Sequence, residues 1–546
     1  MDPKSLVEQG NHLFDKRTTL LSFWQDASEQ FYVERADFTV QRSLGDDFAS
    51  QLATSYPTMI RRDLGNSLGT MMRPTSINWF HMRADREEYE DQAALAWLEA
   101  KTDVMRRAMY DRRSMFTRAS KESDHDLATF GQSVKTIELN RNADGLLYRC
   151  WHLRDVAWQE NSEGKIDLVH RKWKPCAIHL IELFKDRVHQ KVKDCCFGAK
   201  KEPYKEINVR HIVMPADRYD GDYPGKGKAE YVSIYLDVDN LHIMEAVGQS
   251  YFMYIIPRWQ TVSGSQYAYS PATVVALPDA RLLQAMTACL LEAGEKATNP
   301  PMLAVQEAIR SDISIYAGGI TWVDAEYDER LGEVLRPITQ DKSGIPLGID
   351  MRRDVMAMLN EAFYLNKLNL PMSGPEMTAY EVGQRVQEYI RQAAPIFEPL
   401  EHEDNGAVCE TTFELMMRVG AFGPVEDIPQ SLRGREITFK FESPLHDAVE
   451  RQKGQKFLEA QQMLAQVLTL DPTATAQLDI RTAFRDVLTS IGMPAKWMRS
   501  ETEANEIIAE QQEEMQTAKL IEGMGAGAET AKMIGDAGQS LGAMAA

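Results

Sequence analysis

Pro257-Arg258-Trp259, Tyr267-Ala268-Tyr269-Ser270-Pro271-Ala272 and Ala276-Leu277-Pro278-Asp279 are the stretch whose reading decides the fold. From Pro278 onward Leu282, Leu283, Met286, Leu290 and Ala293 recur at helical spacing until Asn299-Pro300-Pro301 stops them. Pro278 suits a first helical turn, Asp279 favours the positive end of the helix dipole, and Glu292 with Lys296 forms an i,i+4 ion pair. A second helical pattern opens after Met377 with the capping box Thr378-x-x-Glu381 and carries Val382, Val386, Ile390 and Ala393 as far as Pro395. Two helices, 278–298 and 378–396, therefore frame an insertion in which 302–305 and 319–323 read as strands and 350–366 as a helix. The apolar stripe of the first helix reads as packing surface, not as a ligand site.

Toward the N-terminus, residues 5–125 read mainly as helix, with Leu13, Leu20, Leu21, Trp24 and Phe31 at three- and four-residue steps, and with Asn78 to Met82 as a strand after the break at Pro74. From 130 to 245 the pattern turns to short alternating runs, 133–139, 147–151 and 229–235, separated by turn residues. The loop Tyr219 to Lys228 holds two aspartates but lacks the acidic ligand spacing of a calcium loop. Beyond Pro399 a helix resumes through Thr412, Leu415, Met416 and Val419, and after 445 the chain is helical and rich in Ala, Gln and Met, ending in a Gly/Ala/Met tail. The pattern as a whole is α+β, predominantly helical.

The chain has 546 residues, enough for several cores, since one core seldom serves more than about 300 residues. No uncharged apolar run reaches about 18 residues, and Met1-Asp2-Pro3-Lys4 does not lead into a signal-like segment, so neither a membrane span nor ordinary secretion is expected. Six cysteines, none in a Cys-x-x-Cys pair, read as free thiols. With 81 acidic against 61 basic residues the formal charge is −20, which argues against a protein that grips nucleic acid by neutralising phosphates but suits a wall past which a duplex slides.

No phosphate loop, His-Glu-x-x-His or Gly-x-Ser-x-Gly motif is present. Cys195-Cys196 beside His189 would point to opposite faces of a strand, which favours packing over metal binding. Asp124-His125-Asp126 reads as the solvated face of a helix. No catalytic residue, metal or cofactor is expected from these patterns.

Several residues recur in a distinctive order: Arg17, Trp24, Phe31 and Tyr32; Pro74, Trp79 and Phe80; Phe130 and Gly131; Pro257, Arg258, Trp259, Tyr267, Ser270, Pro271, Ala272, Leu277 and Asp279; then Met377, Thr378, Ala379, Glu381, Val382 and Arg385. In this order the chain resembles the head-to-tail connecting (portal) proteins of short-tailed, T7-like bacteriophages. It departs from their pattern at Ala268, where glycine is usual, and at Tyr380, where a small polar residue is common.

The resemblance implies a portal fold with wing, stem, clip and crown, assembled as a dodecameric ring at one capsid vertex of the virion after assembly in the host cytoplasm. Mapped onto this chain, the wing is 1–277 and the stem helices are 278–298 and 378–396, with the clip at 299–377. Residues 397–444 would hold a channel loop, a return helix and a wing strand, and 445–546 the crown and tail. Lys296, Arg391, His402 and Asn405 would face the channel, while Trp259, Tyr267 and Pro271 would pack the wing against the stem. Implied partners are the terminase large subunit, tail adaptor and nozzle proteins, scaffolding, internal core and major capsid proteins, and double-stranded DNA passing without sequence specificity. The alternatives are another ring-forming virion or adaptor protein and, behind it, a cytosolic enzyme.

Overall fold

The computed structural model describes residues 2–300 apart from 44, 47, 48, 51, 76, 199 and 200, then 302–304, 335–337, 344–365, 395, 398–441 and scattered positions from 457 to 511. The second framed helix with Thr378, Glu381, Arg385 and Arg391, the strand expected at 319–323 and most of 445–546 lie outside the described residues. The chain forms two compact units. The first comprises Met1–His81, Asp103–Gly423 and Phe439–His446, and the second Met82–Thr102, Pro424–Thr438 and Asp447–Ala546.

In the first unit, α1 (Pro3–Asp15) is started by Asp2, whose carboxylate accepts the Ser5 N–H at 3.0 Å, and by Pro3. Leu6, Gly10, Leu13 and Phe14 give α1 one buried face. It is followed by α2 (Thr18–Phe31), α3 (Tyr56–Met72), α4 (Gln92–Met109), whose first part belongs to the second unit, and α5 (Phe116–Phe130). Along α3 the buried Ile60, Leu64, Leu68 and Met72 step by four, and the helix stops at Arg73 as the sequence indicates.

Next come β2 (Val134–Leu139) and β3 (Leu146–Trp151), then a five-stranded antiparallel meander: β4 (Val156–Glu160), β5 (Ile166–Trp173), β6 (Val209–Pro215), β7 (Tyr231–Asp237) and β8 (His242–Gln249). Both faces of the meander are covered. Ile212, Met214, Val232 and Ile234 pack with Leu6 and Leu13 of α1. The alternate residues Val209 and Tyr235 pack with Leu180, Phe184 and Val192 of α6 (Ala177–Phe184) and α7 (Gln190–Phe197). β2 also pairs with β9 (Tyr254–Ile255), and β10 (Gln260–Thr261) with β11 (Ala268–Tyr269). Ala268 therefore sits in extended backbone opposite Thr261, and an alanine is accommodated there without strain.

The helix expected to begin at Pro278 begins earlier: α8 is Pro271–Thr298. Ser270 caps it by accepting the Thr273 N–H at 3.3 Å, and Pro271 supplies the preset first turn. Pro278 then falls in the helix interior, where it has no N–H to offer the Val274 carbonyl on an exposed face. After β12 (Met302–Ala304) and β13 (Leu335–Pro337), α9 (Gly344–Ala362) covers most of the helix expected at 350–366. One core joins Ala276, Ala280 and Leu283 of α8 to Val355 and Leu359 of α9, Ile60, Leu64 and Leu68 of α3, and Trp259. A turn of π-helix at Glu401–Gly406 leads into α10 (Ala407–Arg418). β1 (Phe80–Ala84) pairs with β14 (Ile437–Phe441).

Within the second unit, the Met82 N–H donates to Thr102 Oγ1 at 3.1 Å and the Asp85 N–H to the Glu436 carbonyl at 3.2 Å. The Arg435 guanidinium lies 4.1 Å from the centroid of the Tyr89 ring.

Candidate functional site

Among the described residues of the sequence pattern, Trp24, Phe130, Gly131, Trp259, Tyr267 and Ser270 meet around the root of α8. Gly131 ends α5 in a left-handed conformation (φ +73°), its carbonyl accepts the Trp259 N–H at 2.8 Å, and the neighbouring Gln132 side chain accepts the Ala268 N–H at 2.9 Å. Ser270 Oγ donates to the Ala128 carbonyl at 2.8 Å and Thr273 Oγ1 to the Thr129 carbonyl at 2.7 Å, so the first turn of α8 is tied to the last turn of α5. Trp24 packs edge-on to Phe130 and Tyr267, and Tyr267 lies 4.5 Å from Trp158. Trp79 donates to the Tyr110 hydroxyl at 3.0 Å and stacks on Phe116. Arg17 is buried and donates through Nη1 to the carbonyls of Leu153 and Val156, both at 2.7 Å. Burial lowers its pKa to about 10, which leaves it charged at neutral pH. Pro271 and Asp279 are half-buried on α8.

Asp124, His125 and Asp126 were expected to face solvent, and all three are buried. Their partners lie far upstream in sequence. Asp124 pairs with Arg73, Asp126 accepts from Arg35 Nη2 at 2.8 Å, and His125 Nδ1 accepts from Arg61 at 3.1 Å. Burial and then Arg61 hold the imidazole down at about pKa 4, so it is neutral at ordinary pH.

The π-turn is bound in the same region. Glu403 accepts the Arg258 N–H at 2.7 Å. Asp404 pairs with Lys135 of β2 and accepts from Arg73 at 2.9 Å, and Asn405 accepts from Arg73 at 2.8 Å while donating to the Met72 carbonyl at 3.1 Å. Burial pushes the Asp404 carboxyl up, but Lys135 and Arg73 outweigh it and hold the group below its usual range. This clasp had no sequence signal, because its members come from four separate segments.

Of the residues expected to face the channel, Lys296 is exposed near the end of α8 and paired with Glu292 at 2.5 Å, and His402 is exposed. Asn405 is only 2 % exposed and committed to the clasp, which removes it from that set. Arg391 lies outside the described residues. Cys195 and Cys196 stand on α7, not on a strand, and Cys195 Sγ donates to the Lys191 carbonyl of its own helix at 3.3 Å.

Among the described residues a serine and a histidine stand within hydrogen-bond reach: Ser233 Oγ is 2.8 Å from His211 Nε2, with the Tyr254 hydroxyl 2.6 Å from Nδ1. All three are buried between β6, β7 and β9.

α8 itself carries two apolar faces. Ala276, Ala280, Leu283 and Thr287 are buried, while Val275, Pro278, Leu282, Ala285 and Cys289, stepping by three and four on the opposite side, are exposed. Val275 is 61 % and Leu282 48 % exposed. Among the described residues this is the one helix long and apolar enough to cross a bilayer, yet its buried face is packed into the protein core.

A profile of the family described as "Bacteriophage head to tail connecting protein" matches residues 4–498. The chain belongs to that family. It is 26 % identical over 454 residues to the "Probable portal protein" of Bordetella phage BPP-1, covering 82 % of this chain and 79 % of the relative. It is 21 % identical over 492 residues to the "Portal protein" of Salmonella phage epsilon15, covering 88 % and 85 % respectively. A solved chain from the "Virion of native gene transfer agent (GTA) particle" aligns over 73 % of this chain and 95 % of its own length, with 9 % identity and a TM-score of 0.29. The family match takes in both the root of α8 and the clasp.

Proposed function

We propose that this protein is the subunit of a ring-shaped head-to-tail connector, a dodecamer at one capsid vertex through which double-stranded DNA enters during packaging and leaves on infection. The observation that carries the ring is the second apolar face of α8. A helix on the surface of a lone subunit needs one apolar stripe, directed inward. Here Val275, Leu282 and Cys289 repeat along the outward side as well. Subunits in a closed ring meet head to tail, so each offers a different surface to either neighbour, and an unpartnered stripe in the subunit is what such a contact requires.

On this reading α8 is the first stem helix and begins at Pro271, residues up to 270 form the wing, 299–377 the clip, 378–396 the second stem helix and 445–546 the crown and tail. The clasp anchors the segment that leads from the channel into α10. Lys296, His402 and Arg391 are channel-facing. The partners are the terminase large subunit at the clip, then tail adaptor and nozzle proteins, with scaffolding, internal core and major capsid proteins around the wing and crown. The work is mechanical and non-enzymatic. Single-particle electron microscopy of the purified protein tests this directly: closed rings with a duplex-wide hole are expected, and a population of monomers or dimers alone at assembly concentrations would overturn it.

A further inference from the structure

A cleft of about 820 Å³ opens in the first unit between the segment that follows α2 and the ends of β3, β5 and β6. Lys172, Lys174, Arg210, Arg154, Trp151 and Trp173 are in its wall. In a chain of formal charge −20 this is a local excess of positive charge.

The excess is built around one aromatic ring. The Lys172 ammonium lies 3.9 Å, Arg210 5.3 Å and the buried Arg17 4.8 Å from the centroid of Phe14. No carboxylate among the described residues forms an ion pair with any of the three. The carboxylates on the rim are engaged elsewhere, Asp37 with Arg154 and His152, and Asp155 with Arg154. Asp15 and Asp155 act on Lys172 only from further off, and burial together with Arg210 and Arg17 depresses its pKa.

Arg210 is buried and only partly satisfied. It is 4 % exposed and donates to the Val7 carbonyl and to Asn11 Oδ1, both at 3.1 Å. Its Nε has no hydrogen-bond partner among the described residues. Arg17 and Arg210 are buried and Lys172 stands exposed beside them; like charges gathered without a counter-ion repel one another, and Arg210 Nε is left unsatisfied. An anion in the cleft removes both penalties.

We propose that this cleft is an anion site that takes phosphate groups. An arginine that lacks one partner and two lysines that act as point charges suit the three oxygens of a phosphate better than the two of a single carboxylate. The phosphate is that of a nucleic-acid backbone or a free phosphate ion, and the two sources share the same contacts. The site lies in the wing of the proposed connector but does not depend on that reading.

The test uses the full-length protein. Its melting temperature is measured against inorganic phosphate, with chloride of matched ionic strength as control, for the wild type, the double variant Lys172→Gln/Lys174→Gln and Lys172→Arg. Phosphate is expected to raise Tm saturably beyond chloride. The double variant should lose at least half of that shift while starting from a Tm equal to or above that of the wild type, because like-charge repulsion has been relieved. Lys172→Arg should keep the shift. A purely structural role predicts a lower starting Tm in the double variant and no specific phosphate effect. A phosphate shift no larger than that of chloride, or one retained in full by the double variant, overturns the proposal. Competition by a short duplex oligonucleotide separates the sources: displacement of phosphate assigns the site to a DNA backbone, and phosphate binding untouched by duplex assigns it to the free ion.

Discussion

Gly131 presses so closely on Tyr269 that a Cβ built on it would stand 2.0 Å from the Tyr269 carbonyl carbon. The contact fixes how the end of α5 meets the strand that feeds α8, and it accounts physically for the Phe130-Gly131 pair in the sequence pattern. Gly164 has a similar backbone (φ +79°) but nothing within 4 Å of its Cβ position.

The two glycines therefore separate steric contact from backbone strain. Gly164→Ala should cost about 1 kcal/mol, the left-handed penalty alone. Gly131→Ala should cost about 3 kcal/mol or more, because backbone must move as well. Urea denaturation of both variants checks this, and equal costs would mean that the loop at 269–270 yields freely.

Asp404 neutralises Lys135 and shares Arg73 with Asp124. Asp404→Asn should destabilise by about 3 kcal/mol, because Lys135 is left as a buried charge without a partner. Adding Lys135→Met should recover part of that loss, and a double-mutant cycle reads the coupling. Strict additivity of the two changes would show that the pair contributes nothing as a pair.

The imidazole of His125 gives a pH dependence with a definite sign. Its folded pKa, about 4, lies below the unfolded value of about 6.5. Stability is therefore complete above pH ~6.5 and is lost as pH falls toward 4, by up to about 3 kcal/mol. His170, held down at about 3 by burial and Arg210, adds to the same limb. His125→Gln should flatten the loss of stability between pH 6.5 and 4 in denaturation curves, and an unchanged slope would exclude His125 as a contributor.

The outward stripe of α8 should matter to assembly and not to folding. Leu282→Glu is expected to leave the circular dichroism spectrum unchanged while reducing rings to monomers in sedimentation velocity. Cys289, exposed in the subunit, should react with a thiol reagent at least tenfold more slowly in rings than in dissociated protein. Rings that persist in the Leu282→Glu variant, with an equally reactive Cys289, would place the interface on another surface.

What the sequence disclosed was local. Alternation marked β2, β3 and β7, and helical spacing marked α2, α9 and α10, because burial of one face leaves its period in the chain. The start of α8 was misplaced because two prolines, Pro271 and Pro278, both suit a first turn, and only the hydrogen bond from Ser270 to Ala128 decides between them. The burial of Asp124, His125 and Asp126 was hidden because the arginines that compensate them, at 35, 61 and 73, arrive through tertiary folding. The same holds for Asn405, a polar residue after a proline break that reads as exposed until Arg73 and Met72 are placed beside it.

Glu403, Asp404 and Asn405 are held by the backbone at Arg258, by Lys135 with Arg73, and by Arg73 with the carbonyl of Met72. These attachments act in parallel, not in series. Tension arriving along the chain at Leu400 is shared among a loop, a strand and a helix end, and yielding requires the fastenings to shear together. The π-turn is thus a rivet plate, and a pull on the segment before it is spread into the body of the first unit before it reaches α10.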